Sequence, residues 1–375
     1  MKRLAPAPDV VTLTGPQGAV VSGDAAEGER PAMENVGIDL HKRESQICVL
    51  GEEGTVVREA RIKTSRESFE EELGGRPRAR ILLESSTESS WAAECLERLG
   101  HEVIVADPNF APMYATRNKR VKTDKRDART LAEACRLGAY RPAHRVSAEQ
   151  RTVRELIAAR ALVVKERSAL VVLVGAQLRG RGYRVAGGTA RCFPERVAEL
   201  DLDPALRAWL PPLLSTINFL SGRIKELDRA LHAATARDPR VKLVKSVPAV
   251  GPVIAAAFVA RIDDATRFRT ARQVQSYVGL VPREYSSGEK QHRGRITKTG
   301  DARLRSLLVQ AAWQLHRRRW PETEALREWS RRIAARRGSQ VAVVALARRL
   351  AGILWAMLRD GTEYRPLVLP VQQAA

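Results

Sequence analysis

The chain has 375 residues, with 64 Lys and Arg against 43 Asp and Glu, a formal net charge of +21 and a sequence pI of about 10.6. That length predicts two or three domains, the charge calls for a polyanionic partner with nucleic acid first, and aromatic residues at only 5% argue against recognition mainly by base stacking. The four cysteines (Cys48, Cys95, Cys135, Cys192) have neither metal-ligand spacing nor a disulfide framework, which fits a reducing cytosol; no run approaches the roughly 18 apolar residues of a membrane span, and the N-terminus lacks a secretory pattern.

Residues 1–33 are rich in Pro, Gly, Ala and Glu and read as a disordered tail, with Met33 as an alternative start. Val36-Gly-Ile-Asp39 reads as a strand closed by a carboxylate. Ser45–Leu50 and Thr55–Ile62 read as two more strands, joined as a hairpin by Gly51-Glu-Glu-Gly54. A short helix over Ser65–Leu73, capped by Thr64 or Ser65, leads to a strand Arg80–Glu84 that also ends on a carboxylate. An amphipathic helix Ser89–Leu99 stops at Gly100, and a strand Glu102–Ala106 follows. The order predicts a mixed α/β sheet, in which sites gather at the carboxyl ends of strands. If the strands ending in Asp39 and Glu84 are neighbours, their carboxylates meet at one edge.

The next helical region carries Lys122-Thr-Asp-Lys-Arg-Asp-Ala-Arg-Thr130. Asp124 and Asp127, three residues apart, share one helix face, and Lys122, Lys125, Arg126 and Arg129 surround them. Alone, the stretch fits a solvated face with ion pairs better. Joined to Asp39 and Glu84 it makes four converging carboxylates, which suit Mg²⁺ or Mn²⁺. Four such acids can hold two metals roughly 3.5–4 Å apart, the arrangement of phosphoryl transfer. His41 follows Asp39 by two residues and either touches this site or is structural.

A long helix from about Ala148 to Leu178 breaks at the glycines of 180–188. Leu213, Ile217, Leu220, Ile224, Leu227 and Leu231 then alternate spacings of four and three, a coiled-coil seam for a helical hairpin or a dimer contact. Beyond Lys245, Ser246-Val-Pro-Ala-Val-Gly251-Pro resembles a helix-hairpin-helix turn, with Ala249 where a glycine is usual, or an ordinary interhelical turn. A helix over Phe268–Leu280 precedes a basic, glycine-punctuated run containing Arg283, Ser286, Ser287, Lys290, Arg293, Arg295, Lys298, Arg303 and Arg305. A serine here is either plain loop or a nucleophile towards a phosphate held by those cations. Further basic amphipathic helices run to Leu358, with Trp313, Trp329 and Trp355 read as core residues, and residues from about 363 read as a tail.

Val-Gly-Ile-Asp39-Leu-His-Lys, Leu-Leu-Glu84-Ser and Lys-Thr-Asp124-Lys-Arg-Asp127-Ala resemble the DEDD-type transposases of the insertion-sequence 110 family, relatives of the pilin-gene invertases. Gly-Leu-Val-Pro282, Ser287-Gly and Ile-Thr-Lys298-Thr-Gly-Asp-Ala-Arg-Leu-Arg305 are similar to that family's C-terminal transposase domain. The resemblance spans roughly residues 35–320. It implies an RNase H-like (RuvC-like) domain over 34–145, a helical linker over 146–240 that supports oligomer assembly, and a C-terminal domain over 241–362. It implies a tetrad of Asp39, Glu84, Asp124 and Asp127 binding Mg²⁺, and Ser287 as nucleophile, with Ser286 the adjacent alternative. Nucleic-acid contacts are expected from Lys122, Lys125, Arg126, Arg283, Lys290, Arg293, Arg295, Lys298, Arg303 and Arg305. The partners it implies are the DNA of element ends and target, an element-encoded bridge RNA, and a dimer or tetramer that brings serine and tetrad together between protomers. The location it implies is the bacterial cytoplasm, at the nucleoid. Two rival readings remain: a RuvC-like nuclease using water as nucleophile, and a non-catalytic architectural nucleic-acid-binding protein.

Overall fold

The computed structural model describes residues 33–115, 123–285 and 293–366. They fall into two compact units that divide after Arg145. The tail readings for 1–32 and 367–375 lie outside the described residues. Tyr364 is anchored: its N–H donates to Ser246 Oγ at 3.1 Å and its hydroxyl to the Glu322 carbonyl at 3.2 Å.

The first unit is built on five strands, β1 (Asn35–Leu40), β2 (Glu44–Leu50), β3 (Val56–Lys63), β4 (Arg80–Glu84) and β5 (Glu102–Ala106). Helices α1 (Arg66–Leu73), α2 (Ser89–Arg98) and α3 (Asp124–Leu137) complete it. The strand order is β3-β2-β1-β4-β5. β1 to β3 run antiparallel through two hairpin connections, while β4 pairs parallel with both β1 and β5. This is the mixed sheet that the element order predicts; Glu84 closes β4, Asp39 lies one residue before the end of β1, and both stand one residue beyond the Ile38–Leu83 pair of these neighbouring parallel strands.

Burial explains the strands. β1 and β4 are central and apolar on both faces, with Ile38, Ile81, Leu82 and Leu83 fully buried. Each such side chain contributes roughly 1.5–3 kcal/mol when removed from water. β3 is one edge strand and carries Arg58, Glu59, Arg61 and Lys63, charges that protect its open hydrogen-bonding groups from pairing with another chain. Ser65 caps α1 by accepting the Ser68 N–H at 3.2 Å.

The second unit is mainly helical. Its elements are α4 (Ala148–Gly180), α5 (Phe193–Ala198), α6 (Pro204–Thr235), α7 (Pro239–Val244), α8 (Pro252–Ile262), α9 (Ala271–Tyr277), the two-stranded ribbon β6 (Pro282–Glu284) and β7 (Arg293–Ile296), α10 (Ala302–Arg317), α11 (Glu324–Arg337) and α12 (Ser339–Asp360). α6 packs along α4. Ile217, Ile224 and Leu231, one heptad apart, are buried, and Arg160 of α4 is 2.5 Å from Asp228 of α6. The partner of the predicted seam within this chain is therefore α4.

One expectation is corrected. The helix predicted over Phe268–Leu280 is shorter, because Thr270 caps α9 by accepting the Gln273 N–H, and Gly279, at φ +74°, ends its last turn. α12 is long and apolar enough, by length and composition, to cross a membrane, although the sequence showed no unbroken apolar run. Arg348 and Arg349 interrupt it, and Leu346, Leu350, Leu354 and Trp355 pack into the core of the second unit.

Candidate active site

α3 lies directly on β1 because Gly37 has no side chain. A Cβ at Gly37 would sit 2.2 Å from both the Ala128 carbonyl oxygen and the Ala132 nitrogen. The buried face of α3 is Ala128, Leu131, Ala132 and Cys135, at the i, i+3, i+4, i+7 spacing of an amphipathic helix. Asp124 and Asp127 stand one turn earlier on the same face, at i−4 from Ala128 and Leu131, so they project beyond the end of β1. Thr123 caps the helix, its Oγ1 accepting the Arg126 N–H at 3.3 Å, which fixes where that first turn begins.

The acids converge. Asp39, Asp124 and the imidazole of His41 each offer a ligand atom, and these atoms all lie within 4.8 Å of one another. His41 Nε2 is 3.2 Å from Asp39 Oδ2 and 3.7 Å from Asp124 Oδ1, so His41 does touch the site. The Asp39 carboxyl is held above the usual range, by burial first; the charges of Asp127, Asp124 and Glu84 push the same way and His41 opposes them. Glu84 is oriented by Tyr114, whose hydroxyl donates to Oε1 at 2.6 Å. Nothing in the sequence pattern pointed to Tyr114, which lies on a short 3-10 turn, Ala111–Tyr114.

This donor set fits a hard divalent cation. Carboxylate oxygens with one imidazole suit Mg²⁺ or Mn²⁺. A half-buried cluster of like charges that drives Asp39 towards its neutral form is what a cation would relieve.

Of the basic residues predicted around the acids, Lys122 lies outside the described residues. Lys125 pairs with Glu59 at 2.6 Å, and Arg126 is exposed on the first turn of α3. In the second unit Ser286, Ser287 and Lys290 lie outside the described residues, between β6 and β7. Arg283 is exposed on β6, Arg293 begins β7, and Arg295 and Lys298 are exposed beside them. Arg303 is exposed at the start of α10, where its N–H donates to the capping Asp301 at 2.8 Å. Arg305 differs: its Nη1 donates to the Val278 and Thr299 carbonyls, both at 2.9 Å, and so ties the Gly-Leu-Val-Pro turn to the Lys-Thr-Gly turn. The two turns touch through bare backbone, since a Cβ at Gly279 would sit 2.1 Å from the Thr299 carbonyl oxygen, and one at Gly300 would sit 2.1 Å from that of Tyr277.

A mixed sheet with carboxylates gathered at the ends of its central parallel strands is consistent with an RNase H-like domain of the DEDD type, a class that implies a divalent metal. The chain belongs to the IS116/IS110/IS902 family of transposases, enzymes that rearrange DNA. The family model described as "Transposase IS116/IS110/IS902 family" matches residues 241–328, and a DEDD transposase model of the IS110 type matches residues 36–180. A probable family 20 transposase of Pseudomonas aeruginosa is 33% identical over 346 residues, covering 89% of this chain and 99% of that protein. The transposase for insertion sequence element IS1111A of Coxiella burnetii is 28% identical, covering 88% of this chain and 91% of that protein. The transposase for insertion sequence element IS1328 of Yersinia enterocolitica is also 28% identical, with 89% and 99% covered.

Proposed function

We propose that this transposase cuts and rejoins the DNA of a mobile insertion element and its target, with Asp39, Glu84, Asp124 and Asp127 as a metal-binding tetrad and Ser287 as nucleophile. The observation that carries the reading is the convergence of acids at the ends of β1 and β4, whose charges add to burial in raising the Asp39 carboxyl. Bound among these carboxylates, a divalent cation, Mg²⁺ or Mn²⁺, supplies positive charge to the scissile phosphate. Asp39 and Glu84 are fixed by their strands, and Asp124 and Asp127 by the capped first turn of α3, so the tetrad is preorganised. Tyr114 holds Glu84 in orientation, and His41 Nε2 stands 3.2 Å from Asp39 and 3.7 Å from Asp124.

Ser287 Oγ forms a bond to phosphorus as one P–O ester bond breaks. The serine proton passes to a base and the departing sugar oxygen takes one up. A phosphoserine ester conserves the bond energy, so attack by a new sugar hydroxyl rejoins DNA without an added cofactor. Arg283, Lys290, Arg293, Arg295, Lys298 and Arg303 hold the backbone phosphates, and Lys122 and Arg126 do so at the tetrad. The turn between α7 and α8 acts as a helix-hairpin-helix. Ala249 adopts φ +70°, the left-handed backbone that glycine usually supplies, and the α8 N-terminus faces a phosphate. An element-encoded bridge RNA pairs with both DNAs, the α4/α6 arm serves as a coiled coil in a dimer or tetramer, and the reaction takes place in the cytoplasm at the nucleoid. The family resemblance and the basic charge support these last assignments.

Peptide mapping of a covalent adduct tests the reading. The full chain, with co-purifying RNA, is incubated with element-junction DNA and Mg²⁺, denatured and digested. A nucleotide mass on the peptide bearing Ser286 and Ser287 is expected, lost in Ser287→Ala, with cleavage abolished in Asp127→Asn. Cleavage without adduct, unchanged in Ser287→Ala, establishes water as nucleophile instead. Activity untouched by Asp127→Asn overturns the tetrad.

A further inference from the structure

We propose that the groove between the β6/β7 ribbon, α9, α11 and α12 is the seat of an unpaired DNA strand. The groove encloses about 1060 Å³, and none of its described lining residues is acidic. Arg295 and Lys298 stand on one wall and Arg337 on the other, all three exposed, and no carboxylate pairs with any of them among the described residues. Arg349 also lines the groove, its guanidinium 4.8 Å from the centre of the Trp329 ring. The floor is apolar: Leu280, Ile296 and Val344 line it, with Val341 still 41% exposed.

Two other clefts show that this charge pattern is not simply what a basic protein produces. The cleft with Arg167 and Lys225 also holds Asp228, and the one with Arg126 and Arg129 also holds Glu133. An anion matches a lining whose charged described residues are all cations, and an anion with an apolar face matches the floor. A duplex turns its phosphates outward and keeps its bases stacked inside, so it leaves such a floor uncovered. An unpaired strand presents phosphates and base faces together. The volume, at the top of the range for drug-sized ligands, admits a few nucleotides. The assignment of DNA rests on the family's activity, and Arg295 and Lys298 already belong to the proposed phosphate surface. What is new is the opposite wall on α11 and α12, the apolar floor, and the strand's unpaired state. Strands of that kind arise whenever a duplex is opened for cutting and exchange.

The test is binding of the full chain to a fluorescein-labelled oligothymidylate of about 16 nucleotides, the upper end of single-strand site sizes, followed by anisotropy across a salt series. EDTA is present throughout, so the tetrad and Ser287 play no part and failure here is separable from failure of the cleavage reading. The triple variant Arg295→Ala/Lys298→Ala/Arg337→Ala is expected to bind at least tenfold more weakly, with a log–log salt slope shallower by about 2, from roughly 0.7 per phosphate contact. Val341→Glu, an exposed change that spares the fold, is expected to cost about tenfold. The control triple Arg319→Ala/Arg332→Ala/Arg336→Ala removes the same charge from exposed positions elsewhere and is expected to bind within about twofold of the parent. Equal losses in both triples, or an unaffected Val341→Glu, overturn the groove in favour of diffuse attraction. Losses confined to a duplex or to oligouridylate overturn the unpaired DNA strand as occupant. Intact oligothymidylate binding with a lost oligomer, read by light scattering, gives the groove to a second copy of the chain.

Discussion

Gly37→Ala is the most direct test of how α3 reaches the sheet. The added Cβ would lie 2.2 Å from the Ala128 oxygen and the Ala132 nitrogen, and real Cβ contacts essentially never fall under 3.0 Å. Both obstructing atoms are backbone, so no side-chain rotation relieves the overlap, and α3 must retreat by about 0.8 Å or more at that point. Overpacking of this kind costs roughly 1–3 kcal/mol, or about 4–13 °C in the melting temperature of a unit this size. Asp124 and Asp127 ride on the first turn of α3, so they move with it while Asp39 and Glu84 stay on their strands. A displacement near 1 Å costs on the order of 100-fold in rate where geometry controls catalysis. The assay is cleavage of junction DNA by the full chain below its melting temperature, beside Mn²⁺ affinity from the electron paramagnetic resonance of free ion. The expected result is a folded protein with Mn²⁺ affinity and cleavage both reduced, cleavage by about 100-fold. Cleavage and Mn²⁺ affinity both within about twofold of the parent would show that the acids do not act as one rigid set.

Other outcomes follow from the same contacts. Tyr114→Phe removes the hydrogen bond to Glu84 and should cost about 1 kcal/mol in urea unfolding and less in rate than Asp127→Asn; a rate loss equal to that of Asp127→Asn would give Tyr114 a larger role. Gly300→Ala combines φ +72° with a Cβ 2.1 Å from the Tyr277 carbonyl oxygen, and should destabilise by more than about 1 kcal/mol in the same assay. The imidazole of His316 is held below its usual range by burial and by Arg331 and Arg317. The unfolded chain therefore binds this proton more readily, and its contribution to stability is present above about pH 6.5 and is lost as pH falls towards the folded value. A His316→Gln variant should flatten that part of the stability profile. Burial pushes the Cys48 thiol up to about 11 and that of Cys135 up to about 12, and Cys95 is buried too, so iodoacetamide near pH 8 should label Cys192 alone until denaturant is added.

How far the sequence reached depends on the range of the interaction involved. The strands were legible because short apolar runs are bounded by charge, as at Glu84, although β1 runs one residue past Asp39 to the buried Leu40. The hairpin was legible because Gly51-Glu-Glu-Gly54 is a local signal, and the turn does close with Gly54 at φ +82°. The helix face of Asp124 and Asp127 follows from spacing alone. Contacts between distant elements were not legible. Gly37 looks like any strand glycine until α3 is laid across it, and the hydroxyl of Tyr114 meets Glu84 across 30 residues. The heptad seam of α6 was visible, but whether its partner was this chain or another could not be read from one helix. Ala249 shows the converse limit: an alanine occupies a backbone region that its type rarely visits, so residue identity understated the turn.

The basic residues carry the last step of the argument, because a formal charge of +21 does not measure what is offered to a polyanion. Lys125 spends its ammonium on Glu59, and Arg305 spends hydrogen bonds on two carbonyls that clamp the turns around Gly279 and Gly300. Arg160, Arg240 and Arg327 likewise answer Asp228, Asp238 and Glu324. Cations of this kind shape the fold, and removing one costs packing and hydrogen bonds before it costs affinity. Arg283, Arg295, Lys298 and Arg337 are exposed and unmatched by carboxylates among the described residues, and three of them line one groove. Substitutions should therefore sort into two kinds. Arg305→Ala should lower the melting temperature and leave the salt slope of DNA binding nearly unchanged. Arg337→Ala should leave the melting temperature unchanged and make the slope shallower by about 0.7. If Arg305→Ala instead changed the slope with no loss of stability, its guanidinium would belong to the phosphate surface, and the clamp would be held by the close backbone contacts of Gly279 and Gly300 alone.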